Sequence, residues 1–315
     1  MTLTPAPLFT DIHPGPDPAT AYWAETSDGV RVRLGVWDKK GARGTVLIFP
    51  GRTEYIEKYG GAAAELAARG LASIAIDWRG QGLADRLLDD PLTGHVEHFT
   101  DYQKDVAAMM RVARSLNLPR PYFLLAHSMG GCIGLRAVIE GITVQAAAFT
   151  GPMWGINISP LMRLPARALS TLMPHFNQGH RLLPSTISTP YVLSAPFDDN
   201  TLTTDEEMYD MMRDQLTAHP DLKLGGPSYT WLREALAETR HLSLRAVPNL
   251  PCAAYVGSNE RIVDVPRVHA RMENWNGGQL HIVEGGEHEI LLETPAIRTR
   301  VFDEICALFL NIKKY

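Results

Sequence analysis

Cysteine is scarce in this 315-residue chain, with three residues, Cys132, Cys252 and Cys306, far apart in sequence. They form no CxxC pair and no even-numbered set, which excludes a disulfide framework and leaves them as small buried apolar side chains. That usage fits a reducing compartment. Long apolar runs are missing as well: no stretch approaches the roughly 18 apolar residues that span a bilayer. Residues 1–20 are rich in proline but have neither a basic start nor an apolar centre, so they do not read as a secretory signal. The expectation is a soluble, cytoplasmic protein, with peripheral contact at the inner face of a membrane left open. Basic runs and basic–aromatic interleaving are absent, and the formal net charge is −5, so nucleic acid is not an expected partner. No His, Cys or carboxylate set has metal-ligand spacing, so no metal is expected. Asp77-Trp78-Arg79-Gly80-Gln81-Gly82 has glycines but no Walker lysine, and reads as a structural turn with an Asp–Arg bond.

What is present is ordinary globular composition, 45% hydrophobic and 21% charged. After an irregular segment over 1–20, Tyr22-Trp23-Ala24 and Val30 to Leu34 alternate around a Ser27-Asp28-Gly29 turn, which predicts a hairpin within 21–37. Short apolar runs follow at Thr45–Phe49, Leu71–Ile76, Tyr122–Ala126 and Val144–Phe149, separated by helical patterns. Such runs, bounded by turn residues, are strands buried on both faces, and the alternation implies βαβ units and a parallel sheet. The alternation stops at Gly151 and resumes at Cys252–Val256. A helix near 266–274, a strand at Leu280–Glu284 and a helix carrying Ile297, Val301, Ile305 and Leu308 on one face complete it. The expected architecture is an α/β core over 21–151 and 249–315, a mostly parallel central sheet flanked by helices, interrupted by a helical cap over 152–248.

His127-Ser128-Met129-Gly130-Gly131 directly follows a strand and opens a helix. A sharp strand-to-helix turn would hold Ser128 in a strained conformation with its hydroxyl exposed, and small neighbours are required where flanking side chains would collide. Gly130 supplies one such position. Ala126 stands where the usual motif has glycine, a variant with the smallest alternative. The helix N-terminus behind Ser128 favours developing negative charge, and the Met129 N–H is one expected oxyanion donor.

The chain resembles the lysophospholipase and monoacylglycerol lipase branch of the α/β-hydrolases, with a serine aminopeptidase-like hydrolase domain. The resemblance runs from about Phe49 to Phe309. It rests on Pro50-Gly51-Arg52 with Glu54 and Lys58-Tyr59, on Asp77 to Gly82, on Gly94-His95-Val96, Phe99 and Asp101-Tyr102, and on Ala126 to Gly131. Gly225 to Tyr229 with Trp231, and His288-Glu289-Ile290, complete it, and several segments look closer to bacterial lysophospholipases. The resemblance implies the order serine, acid, histidine. His288 then follows the last strand as the base. The family's usual aspartate position matches Glu260, with Asp264 the alternative acid. The second oxyanion donor becomes Arg52 N–H, where Pro50-Gly51 replaces the family's common His-Gly. The Arg52 side chain is either structural or meets a phosphate head group.

The 152–248 segment carries apolar stripes that pack a cap onto the body. Trp154, Met162, Met208 and Met212 are the residues expected to touch an acyl chain, since flexible methionines suit varied chains. Thr204 with Glu207 reads as a capping box on the second cap helix. The expected activity is cofactor-free ester hydrolysis through an acyl-enzyme, on a lysophospholipid, with monoacylglycerol lipase or general carboxylesterase as the alternative. A non-catalytic lipid-binding protein on the same fold is the rival of a different class, supported only by the atypical Glu260.

Overall fold

The computed structural model describes residues 3–12, 15–184 and 186–311. Of the segment expected to be irregular, Met1, Thr2, His13 and Pro14 lie outside the described residues. The rest of it is partly ordered, because a short strand adds to the sheet edge and Phe9 stacks on His219 with ring centroids 3.7 Å apart.

Nine strands form one sheet: β1 (Thr4–Pro5), β2 (Ala19–Glu25), β3 (Arg31–Trp37), β4 (Thr45–Phe49), β5 (Ala72–Asp77), β6 (Tyr122–His127), β7 (Ala147–Thr150), β8 (Cys252–Gly257) and β9 (Gln279–Val283). Their spatial order is β1-β2-β3-β5-β4-β6-β7-β8-β9. The pairings β1–β2, β2–β3 and β3–β5 are antiparallel, and every pairing from β5 to β9 is parallel. Every residue of β4 to β8 is buried, as their uninterrupted apolar runs require of strands covered on both faces.

The helices are α1 (Gly60–Ala68), α2 (Tyr102–Ser115), α3 (Ser128–Ile139), α4 (Pro160–His175), α5 (Tyr191–Ser194), α6 (Glu206–Ala218), α7 (Tyr229–Ser243), α8 (Val265–Glu273) and α9 (Pro295–Leu310). One sheet face buries α1 and α9, with Phe123 stacked on Phe309. The other buries α2, α3 and α8 around Trp78, Phe149 and Trp154. The three cysteines are buried and unpaired. Strands β7 and β8 are sheet neighbours, so the chain between them adds no strand to the sheet. Its helices α4 to α7 instead contribute side chains to one cavity shared with Ser128 and His288.

Two local expectations are corrected. The first residue of α6 is Glu206, and its N-cap is Asp205, whose carboxylate accepts from the Met208 N–H. Thr204 is drawn away because its hydroxyl donates to Glu293. The Asp77–Gly82 segment is a structural turn, but its Asp–Arg bonds run to distant elements. Asp77 accepts from Arg33 of β3 at 2.7 Å, and Arg79 donates to Asp105 of α2 and to Asp28 in the β2–β3 turn.

Arg33 is fully buried, and Glu57 and Asp77 share it. Asp77 also accepts the backbone N–H groups of Ile56 and Leu83. The ion pair thus ties the antiparallel part of the sheet to the segments that follow β4 and β5. Arg33→Ala, which strands two buried carboxylates, is expected to cost about 3–5 kcal/mol in urea unfolding. A loss within about 0.5 kcal/mol, the scale of ordinary surface substitutions, would remove the pair from the framework.

Candidate active site

The candidate groups sit just past the C-terminal ends of parallel strands, the edge at which open α/β sheets bind ligands. Arg52 follows β4, Ser128 follows β6, Glu260 follows β8 and His288 follows β9. Ser128 has φ +50°, a left-handed conformation that L residues adopt only under constraint. That turn presses the start of α3 against β4: a Cβ built on Gly130 would lie 2.1 Å from the Phe49 carbonyl oxygen. Glycine is therefore required at 130 by contact, and Ala126 is accommodated within the buried strand.

His288 Nε2 lies 2.9 Å from Ser128 Oγ, and His288 Nδ1 lies 2.7 Å from Glu260 Oε2. An ionised carboxylate only accepts, so Nδ1 carries the proton and Nε2 is free to take the serine proton. Glu260 Oε1 accepts the backbone N–H groups of Ile262 at 2.6 Å and Val263 at 3.1 Å. Burial pushes this carboxyl up, but His288 and the two amides outweigh burial and hold it below the usual carboxylate range. Glu260 is thus ionised through the neutral range. Asp264 lies elsewhere, as the N-cap of α8, accepting from the Arg267 N–H. The longer glutamate side chain reaches the imidazole from a position one turn earlier.

Met129 N–H is in the first turn of α3, where helical amides have no intrahelical acceptor. Arg52 and Met129 both line the cavity beside Ser128. The Asp77–Gly82 turn holds the Arg52 loop: Trp78 Nε1 donates to the Pro50 carbonyl at 2.9 Å, Gln81 Nε2 to the Gly51 carbonyl at 3.0 Å, and Thr53 N–H to Gln81 Oε1 at 3.2 Å. Two features escaped sequence reasoning. Gly151, at φ +48°, makes room for the base, since a Cβ there would lie 2.9 Å from His288 Nδ1. Glu54, Lys58, His127 and Glu289 form a buried cluster under the site; all four stand in segments that carry the resemblance, but nothing in the sequence said that they would meet.

The cavity measures about 660 Å³. Met162 and Met212 line it, with Met153, Leu216 and Ile262. Trp154 and Met208, expected in the acyl site, do not line it. Trp154 turns into the core, donating from Nε1 to the Gly131 carbonyl at 3.1 Å and stacking on Trp275. Met208, one turn before Met212 on the same face of α6, packs against the cluster around Tyr209 and is not among the residues lining the cavity.

The parallel sheet with helices on both faces and the serine–histidine–glutamate alignment at its C-terminal edge define an α/β-hydrolase. The family model described as serine aminopeptidase, S33, matches residues 40–295, and the chain belongs to that family. It is 32% identical to lysophospholipase L2 of Escherichia coli (strain K12), over 93% of this chain and 90% of the relative. A probable lysophospholipase L2 of Haemophilus influenzae is 25% identical over 86% and 85%, and a monoglyceride lipase homolog of monkeypox virus 25% over 82% and 87%. The fold is shared with a soluble variant of monoglyceride lipase from Saccharomyces cerevisiae, TM-score 0.69, 20% identical, covering 93% of this chain and 95% of that one. Family, relatives and fold together make the chain an ester-hydrolysing enzyme.

Glu260→Gln is expected to lower kcat by about 10³–10⁴-fold, because the amide no longer fixes the tautomer of His288. Asp264→Asn is expected to keep near-normal turnover, as asparagine also caps helices. Steady-state kinetics on one ester substrate checks both; equal losses in the two variants would overturn the assignment of the acid.

Proposed function

We propose that the enzyme releases a fatty acid from a lysophospholipid through an acyl-enzyme. The observation that carries this reading is the Ser128–His288–Glu260 alignment opening into a cavity of lipid-chain size lined by Met153, Met162, Met212 and Ile262. Ser128 Oγ attacks the acyl carbonyl while His288 Nε2 takes its proton. The N–H groups of Met129 and Arg52 hold the oxyanion. His288 protonates the leaving alcohol, and water, activated by the same imidazole, then attacks the acyl-serine and frees the acid.

Arg52 supports a charged head group over a neutral one. Its side chain lines the cavity, donates to the Gly225 carbonyl at 2.7 Å and lies over the Trp231 ring, and among the described residues it has no carboxylate partner. Burial brings its guanidinium down to about 10, which still leaves it cationic at neutral pH. A desolvated arginine facing a ligand cavity matches a phosphodiester. The names of the bacterial relatives agree with this head group, and that of the viral relative supports monoacylglycerol as the second reading.

The test compares a lysophospholipid and a monoacylglycerol of the same acyl chain, with Ser128→Ala as the blank. The wild type is expected to favour the lysophospholipid in kcat/KM. Arg52→Met is expected to reduce that preference about tenfold or more, the scale of a lost charge-assisted hydrogen bond. A wild-type preference for the neutral lipid would move the enzyme to the second reading.

Helix α4 supports contact with a phospholipid surface at the cavity mouth. Leu161, Leu164 and Phe176 are 89%, 79% and 70% exposed, while Met162 and Ala166 of the same helix line the cavity. Arg163 and Arg167 lie among them, and no Asp or Glu occurs between Glu140 and Asp198. An apolar face rimmed by arginines without acids suits an anionic bilayer. Among the described residues no helix is long and apolar enough to cross a membrane, and the buried free cysteines fit work at the cytoplasmic face. The wild type is expected to float with phosphatidylglycerol-containing vesicles. Leu161→Glu with Leu164→Glu should abolish flotation yet retain turnover of a water-soluble ester. Equal flotation of both proteins would remove α4 as the docking face.

A further inference from the structure

Behind the catalytic serine lies a second set of ionisable groups that the hydrolytic steps do not use. His127 immediately precedes Ser128, Glu289 immediately follows His288, and Glu54 is two residues past Arg52. All are buried, as is Lys58. Lys58 Nζ donates to Glu54 Oε1 and to Glu289 Oε1, each at 2.6 Å. Glu54 Oε2 accepts from the Tyr59 hydroxyl at 2.6 Å and from the Gly51 N–H. His127 Nε2 lies 3.3 Å from Glu289 Oε2 and 3.5 Å from Glu54 Oε1, within ion-pair range. His127 Nδ1 lies 2.9 Å from the Thr150 carbonyl oxygen and 3.0 Å from its hydroxyl.

The protonation state of His127 follows from these neighbours. A carbonyl oxygen and an ionised carboxylate can only accept. Nδ1 therefore carries a proton toward Thr150, while Nε2 makes no hydrogen bond and is assigned its proton by the charge of the two carboxylates beside it. The cluster then holds two cations and two anions, and its net charge is zero. Any neutral His127 would leave one uncompensated negative charge in a buried site, which is costly. Burial opposes the charged imidazole, yet Glu289 and Glu54 raise its proton affinity above the usual value. Burial likewise opposes ionised Glu289, and Lys58 and His127 hold it well below the usual carboxylate range. Glu54, His127 and Glu289 offer ligand atoms close enough together to hold a metal ion. The Lys58 ammonium, bonded to both carboxylates, is the cation of that place.

We infer that His127 is a positioning residue, a permanently protonated imidazolium that with Lys58 balances Glu54 and Glu289 and so holds the oxyanion loop, the nucleophile turn and the base loop in one register. The consequence for catalysis is geometric and electrostatic. The Gly51 N–H bonded to Glu54 fixes the loop that presents Arg52 N–H. Glu289 fixes the backbone next to His288, whose ring centroid is 4.8 Å from that of His127. Removing the charge on either side of the cluster changes the potential at the base. The groups that face His127 are Glu54, Glu289, Lys58 and His288; Tyr59 reaches it through Glu54, Tyr55 lies near both carboxylates, and Glu260 stands behind His288. The inference rests on Ser128 and His288 being nucleophile and base.

The experiment compares the wild type, His127→Gln, Glu289→Gln and the double variant. The acidic limb of kcat/KM on one water-soluble ester reports the base. His127→Gln leaves a net negative cluster that favours protonated His288, so the limb should move up by about one pH unit. Glu289→Gln should move it down by a similar amount, and the double variant, neutral again, should return close to the wild type. Each single variant should lose about tenfold or more in kcat with KM changed by less than about twofold, since oxyanion alignment acts in the transition state. A purely structural residue would lower activity without these opposed shifts. Nitrogen-15 NMR of the wild-type imidazoles is the second measurement, independent of whether a variant folds. Both ring nitrogens of His127 should remain protonated at neutral pH, where an unperturbed imidazole titrating near 6.5 is mostly neutral. A neutral tautomer at pH 7, or limbs that coincide in all four proteins, would overturn the inference. Failure of a fluorophosphonate to label Ser128 would instead overturn the hydrolase assignment, while the NMR result would still stand.

Discussion

The left-handed turn at Ser128 is the constraint on which the rest of the site depends. It drives the first turn of α3 against the end of β4, so close that the Phe49 carbonyl leaves no space for a side chain at Gly130. The same contact sets the Pro50–Thr53 loop, the proposed oxyanion loop, beside Ser128, because that loop is the continuation of β4. Strain of this kind, of order 1–3 kcal/mol, persists only where surrounding structure over-determines it. Here the determination comes from buried parallel strands on both sides of β6.

Polar side chains then fasten each loop to that frame. The turn after β5 holds the Pro50–Thr53 loop by Trp78 and Gln81, and is itself held by Asp77 with Arg33 and by Arg79 with Asp105. The buried His127 cluster fastens the same loop to the base loop from beneath. Buried ion pairs contribute little net stability, because desolvation offsets attraction. Their role here is to make one arrangement of three loops much better than its neighbours, which catalysis requires to within a fraction of an ångström.

The other wall of the cavity is built by the helices between β7 and β8. They are less tightly built than the sheet: α4 leaves Leu161 and Leu164 in solvent, as does Phe176 just after it. Rigid geometry at the strand ends and a looser apolar wall above suit the proposed turnover of an acyl-chain ester.

Much of this was legible in the chain. Short apolar runs ending at turn residues determined the parallel strands, since strands covered on both faces need that pattern and nothing else. Ser128 and His288, the proposed nucleophile and base, could be picked out because such turns demand particular small residues at particular places after a strand, and the structure brings them within 2.9 Å. Between Glu260 and Asp264 the sequence offered a choice that only the fold could make: both lie in one loop, and reach to Nδ1 separates them. The residues expected at an acyl chain divide in the structure into two that line the cavity and two that do not. Helical spacing places Met208 and Met212 on one apolar stripe of α6, but how far along that stripe the cavity reaches depends on partners far along the chain. Local backbone chemistry is written in neighbouring residues and so appears in the sequence. Distances across the site depend on contacts between residues such as Lys58 and Glu289, or Arg33 and Asp77, and only the tertiary structure decides those.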